Sequence, residues 1–294
     1  MKEISAILGY RDSIRVVDAT LRDGGLCNDF YFTDDFVRDL YAANVDAGVD
    51  YMEVGYKASK KLFDKGKFGK WKFTDDDDIL SVIGENSEKK VRLAAMADVG
   101  RTDFREDIRP RSDSPLDLIR VACYVHQIPG AIEMIEDAKK KGYEVSCNIM
   151  AISTAQEGDI RVALDMIGAS PVDAIFIVDS FGSIYPEQMQ RIAAMYKECA
   201  DKYGKSLGIH AHNNQQLAFA NTIEDNLDIN CTTADIAERY KQSPSNVRNV
   251  LSRNFMPKPK RRVYYSFSKF IKYIPKRWVR HTDAPTNSIS NDDN

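Results

Sequence analysis

Short runs of apolar, often β-branched residues alternate with longer amphipathic stretches along residues 1–230. The runs predict β-strands, and the stretches predict helices, such as the one over 186–203 that begins with a proline and is followed by a glycine. The strands recur roughly every 25–40 residues, which is typical of parallel strands joined by crossover helices. The seven predicted strands lie at 15–19, 51–56, 91–98, 118–124, 144–151, 174–179 and 207–211.

Polar residues gather where the predicted strands end, at positions that a purely structural strand does not need. They include Arg22, Asp23, Glu53, Asn148, Ser180 and the segment 210–214. Polar groups at the carboxyl ends of many strands are the active-site layout of a (β/α)8 barrel. A doubly wound nucleotide-binding sheet is disfavoured, because no G-x-G-x-x-G or G-x-x-x-x-G-K-[ST] loop follows a predicted strand. The sequence therefore predicts an α/β fold of the (β/α)8 TIM-barrel type.

Charge divides the chain into two dissimilar parts. From Lys241 to the end there are 12 Lys and Arg against 3 Asp and Glu, a net charge of +9, whereas residues 1–240 carry 29 against 41, a net charge of −12. Such an asymmetry indicates separate pieces with separate roles. We predict a barrel domain over 1–230, a helical hairpin with a basic amphipathic segment over 231–280, and a disordered tail over 281–294.

Composition narrows the class of protein further. Hydrophobic residues make up 43% of the chain, enough for a folded core, and no apolar run approaches the length of a membrane span. The five cysteines are odd in number and include no C-x-x-C pair. Neither a disulfide framework nor a cysteine zinc site is indicated, and a reducing, cytoplasmic location is expected.

The segment HAHNN contains two of the four histidines, His210 and His212, at the end of the seventh predicted strand. Alternate residues of a strand share one face, about 7 Å apart, so both imidazoles can converge on one cation. Asp23, after the first strand, is the best candidate for a third ligand in the same barrel mouth. Mixed carboxylate and imidazole ligation suits Mn²⁺, Mg²⁺ or another borderline ion, and the spacing does not choose among them; Mn²⁺ or Mg²⁺ is expected. The alternatives are hydrogen-bonded strand-end histidines and, for Arg22 and Asp23, a strand-end ion pair.

Four motifs stand in order along residues 14–224: VVDATLRDGG at 16–25, MEVGY at 52–56, VDSFGSIYPEQM at 178–189 and HAHNNQQLAFANT at 210–222. Together they resemble the HMG-CoA lyase-like, or pyruvate carboxyltransferase-domain, family of TIM-barrel metallolyases. Within that family the first motif is similar to that of the 4-hydroxy-2-oxovalerate aldolase-type members. The resemblance implies a metal-dependent aldolase or lyase, or a Claisen-type acyltransferase, acting on a 2-oxo acid through a pyruvate enolate.

The resemblance also implies roles for residues. Asp23, His210 and His212 match the family's metal ligands, and Arg22 matches the arginine that stabilises the enolate oxygen. We expect three further residues to line the same pocket and orient the substrate, the alternative being ordinary hydrogen bonding at strand ends. These are Glu53, Asn148 and Ser180.

Two departures from the family leave present activity open. The histidine that serves as general base in the related aldolases is missing, because Gly25, Leu26 and Cys27 occupy its stretch; Cys27 and Tyr31 are the nearby polar candidates. The family's eighth strand and its glycine-rich segment are also missing after residue 224. We therefore predict an incomplete barrel of seven β/α units.

The basic C-terminal region gives the second hypothesis, a catalytically decayed barrel protein that binds nucleic acid or another polyanion. Residues 236–250 have the apolar spacing of a helix-turn-helix, and 258–281 mix basic with aromatic side chains. The alternative is a hairpin that packs on the barrel while its lysines face water. A homo-oligomer is compatible with either hypothesis.

Overall fold

The computed structural model describes residues 14–226 and two short strands at 230–231 and 265–266. The chain divides into two compact units, Met1–Ala218 and Phe219–Asn294, of which the first contains the large sheet. The predicted hairpin, basic segment and disordered tail lie almost entirely outside the described residues. Four statements stay predictions: the domain boundaries, the nucleic-acid role, the homo-oligomer and the cytoplasmic location.

The large sheet has seven parallel strands, and each pairs with the strand that follows it in the chain. Over the described residues, this sequential order is that of a (β/α) barrel with seven of its eight strands. The strands are β1 Val17–Asp18, β2 Tyr51–Tyr56, β3 Arg92–Asp98, β4 Leu118–Cys123, β5 Glu144–Ile149, β6 Ala174–Asp179 and β7 Ser206–Ala211. The incomplete TIM-barrel fold is thus confirmed, although β1 is shorter than the strand predicted at 15–19.

Eight α-helices lie among the described residues, and most of them connect successive strands. They are α1 Thr20–Gly24, α2 Asp34–Ala47, α3 Asp76–Val82, α4 Phe104–Asp107, α5 Ile128–Lys140, α6 Glu157–Ala169, α7 Pro186–Tyr203 and α8 Ala218–Asn226. Helix α2 begins after Thr33, whose hydroxyl accepts the N–H of Phe36, and ends at Gly48, whose left-handed φ of 72° suits glycine. Helix α7 has the predicted proline start and ends at Gly204, with a φ of 65°.

The core lies between the strands and the helices that cover them. Every residue of β2 and β4 is buried, as expected for parallel strands covered on both faces. Within the described residues no strand pairs with the outer edge of β1 or β7. The two remaining strands, β8 Asn230–Cys231 and β9 Tyr265–Ser266, pair with each other in an antiparallel ladder. None of the helices in the described ranges has the length and apolar character that a membrane crossing requires.

Candidate active site

Three side chains that can bind a metal ion converge at the carboxyl end of the sheet. The Oδ2 atom of Asp23 lies 3.2 Å from Nε2 of His212 and 3.6 Å from Nε2 of His210. The two Nε2 atoms are 3.4 Å apart. All three residues are partly buried, and one ligand atom from each lies within 4.8 Å of the others. One carboxylate and two imidazoles that face a cavity fit a divalent cation such as Mn²⁺ or Mg²⁺.

The last residue of β6, Asp179, orients one of these histidines. Nδ1 of His212 lies 2.9 Å from the backbone oxygen of Asp179, which can only accept, so Nδ1 carries the proton and Nε2 is free to coordinate. The Asp179 carboxylate accepts the N–H groups of Ser183 and Ile184, which fixes the turn. A Cβ atom on Gly182 would lie 2.8 Å from the His212 oxygen, so this close approach requires glycine.

Asp23 is held as a carboxylate. Arg22 donates a hydrogen bond to its Oδ1 atom, which leaves Oδ2 facing the histidines. Burial alone would raise the pKa of Asp23, but the interaction with His210 and the charge of Arg22 outweigh it and hold the pKa well below its usual range. The side chain is therefore ionised at neutral pH, as a metal ligand must be.

A buried chain of hydrogen bonds links strands β2, β4 and β5 beneath the cluster. The Oε2 atom of Glu53, a fully buried residue, accepts from Nε of Arg22 at 2.7 Å and from Arg120 at 2.8 Å. Arg120 also donates to Oδ1 of Asn148 at 2.8 Å, and its guanidinium lies 4.7 Å from the centre of the Phe176 ring. Burial would raise the pKa of Glu53, but the charges of the two arginines hold it below its usual value. Glu53 thus fixes Arg22 and Arg120 in position.

A cavity of about 310 Å³ opens above this chain of hydrogen bonds. Six of the seven predicted site residues line it: Arg22, Asp23, Asn148, Ser180, His210 and His212. Glu53 lies beneath the cavity and does not line it, while the Ser180 oxygen accepts the N–H of Ala151 at 2.8 Å. Apolar side chains form another part of the wall: Leu26, Met96, Met150, Val178 and Phe181.

Three polar residues of this cavity were not predicted from the sequence: Arg120, Tyr56 and Tyr124. Arg120 could have been found, because a lone charge inside the apolar run LIRVAC needs a buried partner. Tyr56 gave no such signal, since tyrosine is common at strand ends. The polar candidates near the first motif, Cys27 and Tyr31, are exposed and do not line the cavity.

Comparison with known proteins shows which family the chain is similar to. A sequence-family profile described as HMGL-like matches residues 13–226. Oxaloacetate decarboxylase from Mycobacterium tuberculosis is 27% identical over 218 residues, covering 73% of this chain and 61% of the relative. 4-Hydroxy-2-oxovalerate aldolase 1 from Nocardia farcinica is 29% identical over 214 residues, covering 71% of this chain and 59% of the relative.

One of the solved structures with a fold similar to that of this chain is also similar in sequence. The N-terminal domain of a Bacteroides vulgatus protein assigned as an aldolase is 27% identical, with a TM-score of 0.59 over 72% of this chain and 68% of that chain. The present chain spans about 60% of the length of the two curated relatives. The four sequence motifs, the sheet order and the profile match agree, and the chain belongs to the HMGL-like family.

Proposed function

We propose that this protein is a metal-dependent lyase or aldolase that cleaves a carbon–carbon bond of a 2-oxo acid through the enolate of pyruvate. The observation that carries the proposal is that Asp23, His210 and His212 share one cavity with the guanidinium of Arg22. A divalent ion held by those three side chains would polarise the keto and carboxylate oxygens of the substrate. Mn²⁺ and Mg²⁺ are the proposed ions.

Arg22 is positioned to stabilise the enolate oxygen. Two of its N–H groups donate to Glu53 and Asp23. The side chain also lines the cavity, and its guanidinium group has further N–H donors. Because Glu53 and Asp23 fix the guanidinium before substrate arrives, little reorganisation is needed when negative charge develops. Burial works against the charged form of Arg22, yet the charges of Glu53 and Asp23 raise its pKa, so it stays protonated.

The charge of the site agrees with this substrate. Arg22 and Arg120 carry two positive charges, which Glu53 and Asp23 balance. A divalent ion then adds two positive charges, and the carboxylate and enolate oxygens of pyruvate enolate carry two negative ones. The metal-loaded site is therefore complementary to the enolate, whose charge exceeds that of the 2-oxo acid monoanion.

The reactions named for the two curated relatives share this intermediate. Loss of carbon dioxide from oxaloacetate and retro-aldol cleavage of 4-hydroxy-2-oxovalerate both leave the enolate of pyruvate. Arg22 would stabilise the enolate in either reaction, since it acts on the pyruvyl part that the two substrates have in common. The apolar wall of Met96, Met150 and Phe181 lies in the same cavity, where the other half of the substrate would be accommodated.

The test is the release of pyruvate from oxaloacetate and, separately, from 4-hydroxy-2-oxovalerate, with Mn²⁺ or Mg²⁺ present. We expect release from at least one of them to exceed the metal-only rate and to fall by about 10²–10³-fold in Arg22→Ala, the cost of losing an oxyanion donor. The matched control is Arg161→Ala, because the ion pairs of Arg161 with Glu157 and Glu198 are exposed. Release from neither compound above the metal-only rate would contradict the proposal.

A further inference from the structure

Tyr56, the last residue of β2, lines the same cavity as the proposed metal ligands and Arg22. We propose that its hydroxyl transfers the proton to and from the methyl carbon of the pyruvate enolate. This inference rests on the proposed function and assigns the proton-transfer group, which the sequence motifs leave without a residue. Tyr56 is 8% exposed and lines the cavity, so it belongs to the enclosed part of the site.

The other groups of the cavity are poorly suited to this step. Arg22 and Arg120 remain protonated at any ordinary pH, and the amide of Asn148 does not exchange protons as an acid or a base. The Ser180 oxygen accepts the N–H of Ala151, and within the described residues no hydrogen bond joins the Ser180 hydroxyl to a charged side chain that would activate it. The carboxylate and imidazoles of the metal cluster are committed as ligands.

Two phenols therefore remain among the residues that line the cavity, Tyr56 and Tyr124. The side chain of Tyr124 is 43% exposed, and its ring stacks on exposed His126 outside the metal cluster. Tyr56 interacts electrostatically with Arg22, the residue that faces the enolate oxygen. The methyl carbon of the enolate is bonded to the carbon that carries this oxygen, so the proton donor must lie near Arg22. Tyr56 is the phenol that neighbours Arg22.

The ring of Tyr56 is fixed in place by its surroundings. Phe30 packs edge-on against it, with ring centres 5.6 Å apart and an interplanar angle of 90°. The Nζ atom of Lys72 lies 4.7 Å from the ring centre, and the guanidinium carbon of Arg22 lies 6.0 Å from it. Both cations are attracted to the ring and hold it in one orientation. The charge of Arg22 also favours the ionised phenol, against the effect of burial, and so assists the transient loss of the proton.

The resting state of Tyr56 is a proton donor. Burial raises its pKa to about 12, and the carboxylates of Asp98 and Glu53 act in the same direction, whereas the charge of Arg22 opposes them. In the forward step the phenol O–H bond breaks, and the enolate electron pair forms the new C–H bond while the carbonyl is restored. The resulting phenolate, beside Arg22 and Lys72, recovers a proton from water in the cavity. The reverse sequence removes a methyl proton from pyruvate.

The experiment follows exchange of pyruvate methyl protons in D₂O by NMR with Mg²⁺ present, comparing wild type, Tyr56→Phe and Tyr203→Phe. General acid–base groups contribute about 10²–10⁴-fold, so Tyr56→Phe is expected to lose that factor while it binds Mn²⁺ with unchanged affinity in a calorimetric titration. Tyr203→Phe is the matched control, because Tyr203 is the last residue of α7 and its exposed hydroxyl contacts Asp165, which does not line the cavity.

The outcomes separate this inference from the proposed function. Exchange by the wild type that Tyr56→Phe retains in full would overturn the assignment of Tyr56 and leave the proposed function standing. A wild type that exchanges no faster than Mg²⁺ alone would overturn the proposed function and this inference with it. Loss of Mn²⁺ binding in Tyr56→Phe would show a structural role and would also overturn the assignment.

Discussion

Replacing His210 and His212 together by alanine is expected to abolish tight Mn²⁺ binding. Loss of a residue that merely orients a ligand costs about 10–100-fold in metal affinity, and this variant loses two of three direct ligands. The remaining carboxylate of Asp23 would keep only its ion pair with Arg22. Calorimetric titration of the wild type should give one site, and the same titration of the double variant should give none.

The matched control for that titration is His126→Ala. His126 is exposed, stacks on Tyr124 at a ring distance of 5.7 Å, and contributes nothing to the metal cluster. Its replacement should leave the Mn²⁺ titration unchanged. Undiminished binding by the double variant would show that the ion is held elsewhere, and the proposed ligand set would be wrong.

The second large effect concerns stability. Glu53→Gln removes the one carboxylate that Arg22 and Arg120 share, and it leaves two guanidinium groups close together in the protein interior. Breaking a buried ion pair in this way costs about 3–5 kcal/mol in the free energy of unfolding. We expect a loss of that size in urea titrations of the variant.

Glu157→Gln is a closely matched control, because Glu157 also pairs with two arginines. Arg161 and Arg191 each lie 3.0 Å from its carboxylate, but all three side chains are exposed. Exposed pairs contribute about 0–1 kcal/mol, so this variant should unfold almost as the wild type does. Equal losses of stability in the two variants would contradict the buried role of Glu53.

Glu53 also makes the free energy of unfolding depend on pH. Its pKa is lower in the folded protein than in the unfolded chain, where glutamate titrates near about 4.3. The stabilisation is therefore fully present above that pH and is lost as the pH falls through the lower, folded-state pKa. Below about pH 4.3 the wild type should lose stability more steeply than Glu53→Gln does.

The strands could be predicted because each is an apolar run bounded by polar turns. Even the two-residue β1 was located, although its length was overestimated from the β-branched residues around it. The histidine pair followed from strand geometry, and Asp23 followed from the rule that strand ends of a barrel meet at one mouth. These inferences need only local patterns and one topological rule.

The hydrogen-bonded chain beneath the site could not be predicted in the same way. Glu53 and Arg120 are 67 residues apart and lie on strands that are separated by β3. Their contact depends on which face of each strand points inward and on the register of two strand pairs. The prediction that Glu53 lines the pocket came only from its position in the second predicted strand. In the structure Glu53 is buried between two arginines beneath the cavity, where it holds them in position.

Enolate formation at the proposed metal site is tested most directly by the exchange of pyruvate methyl protons for deuterium. The exchange rate is compared among wild type, Arg22→Ala, Asp23→Ala and Mg²⁺ without protein. The measurement requires neither the second substrate nor knowledge of the bond that is cleaved. We expect wild-type exchange well above the metal-only rate, a loss of about 10²–10³-fold in Arg22→Ala, and a comparable or larger loss in Asp23→Ala. Wild-type exchange equal to the metal-only rate would contradict the proposed function.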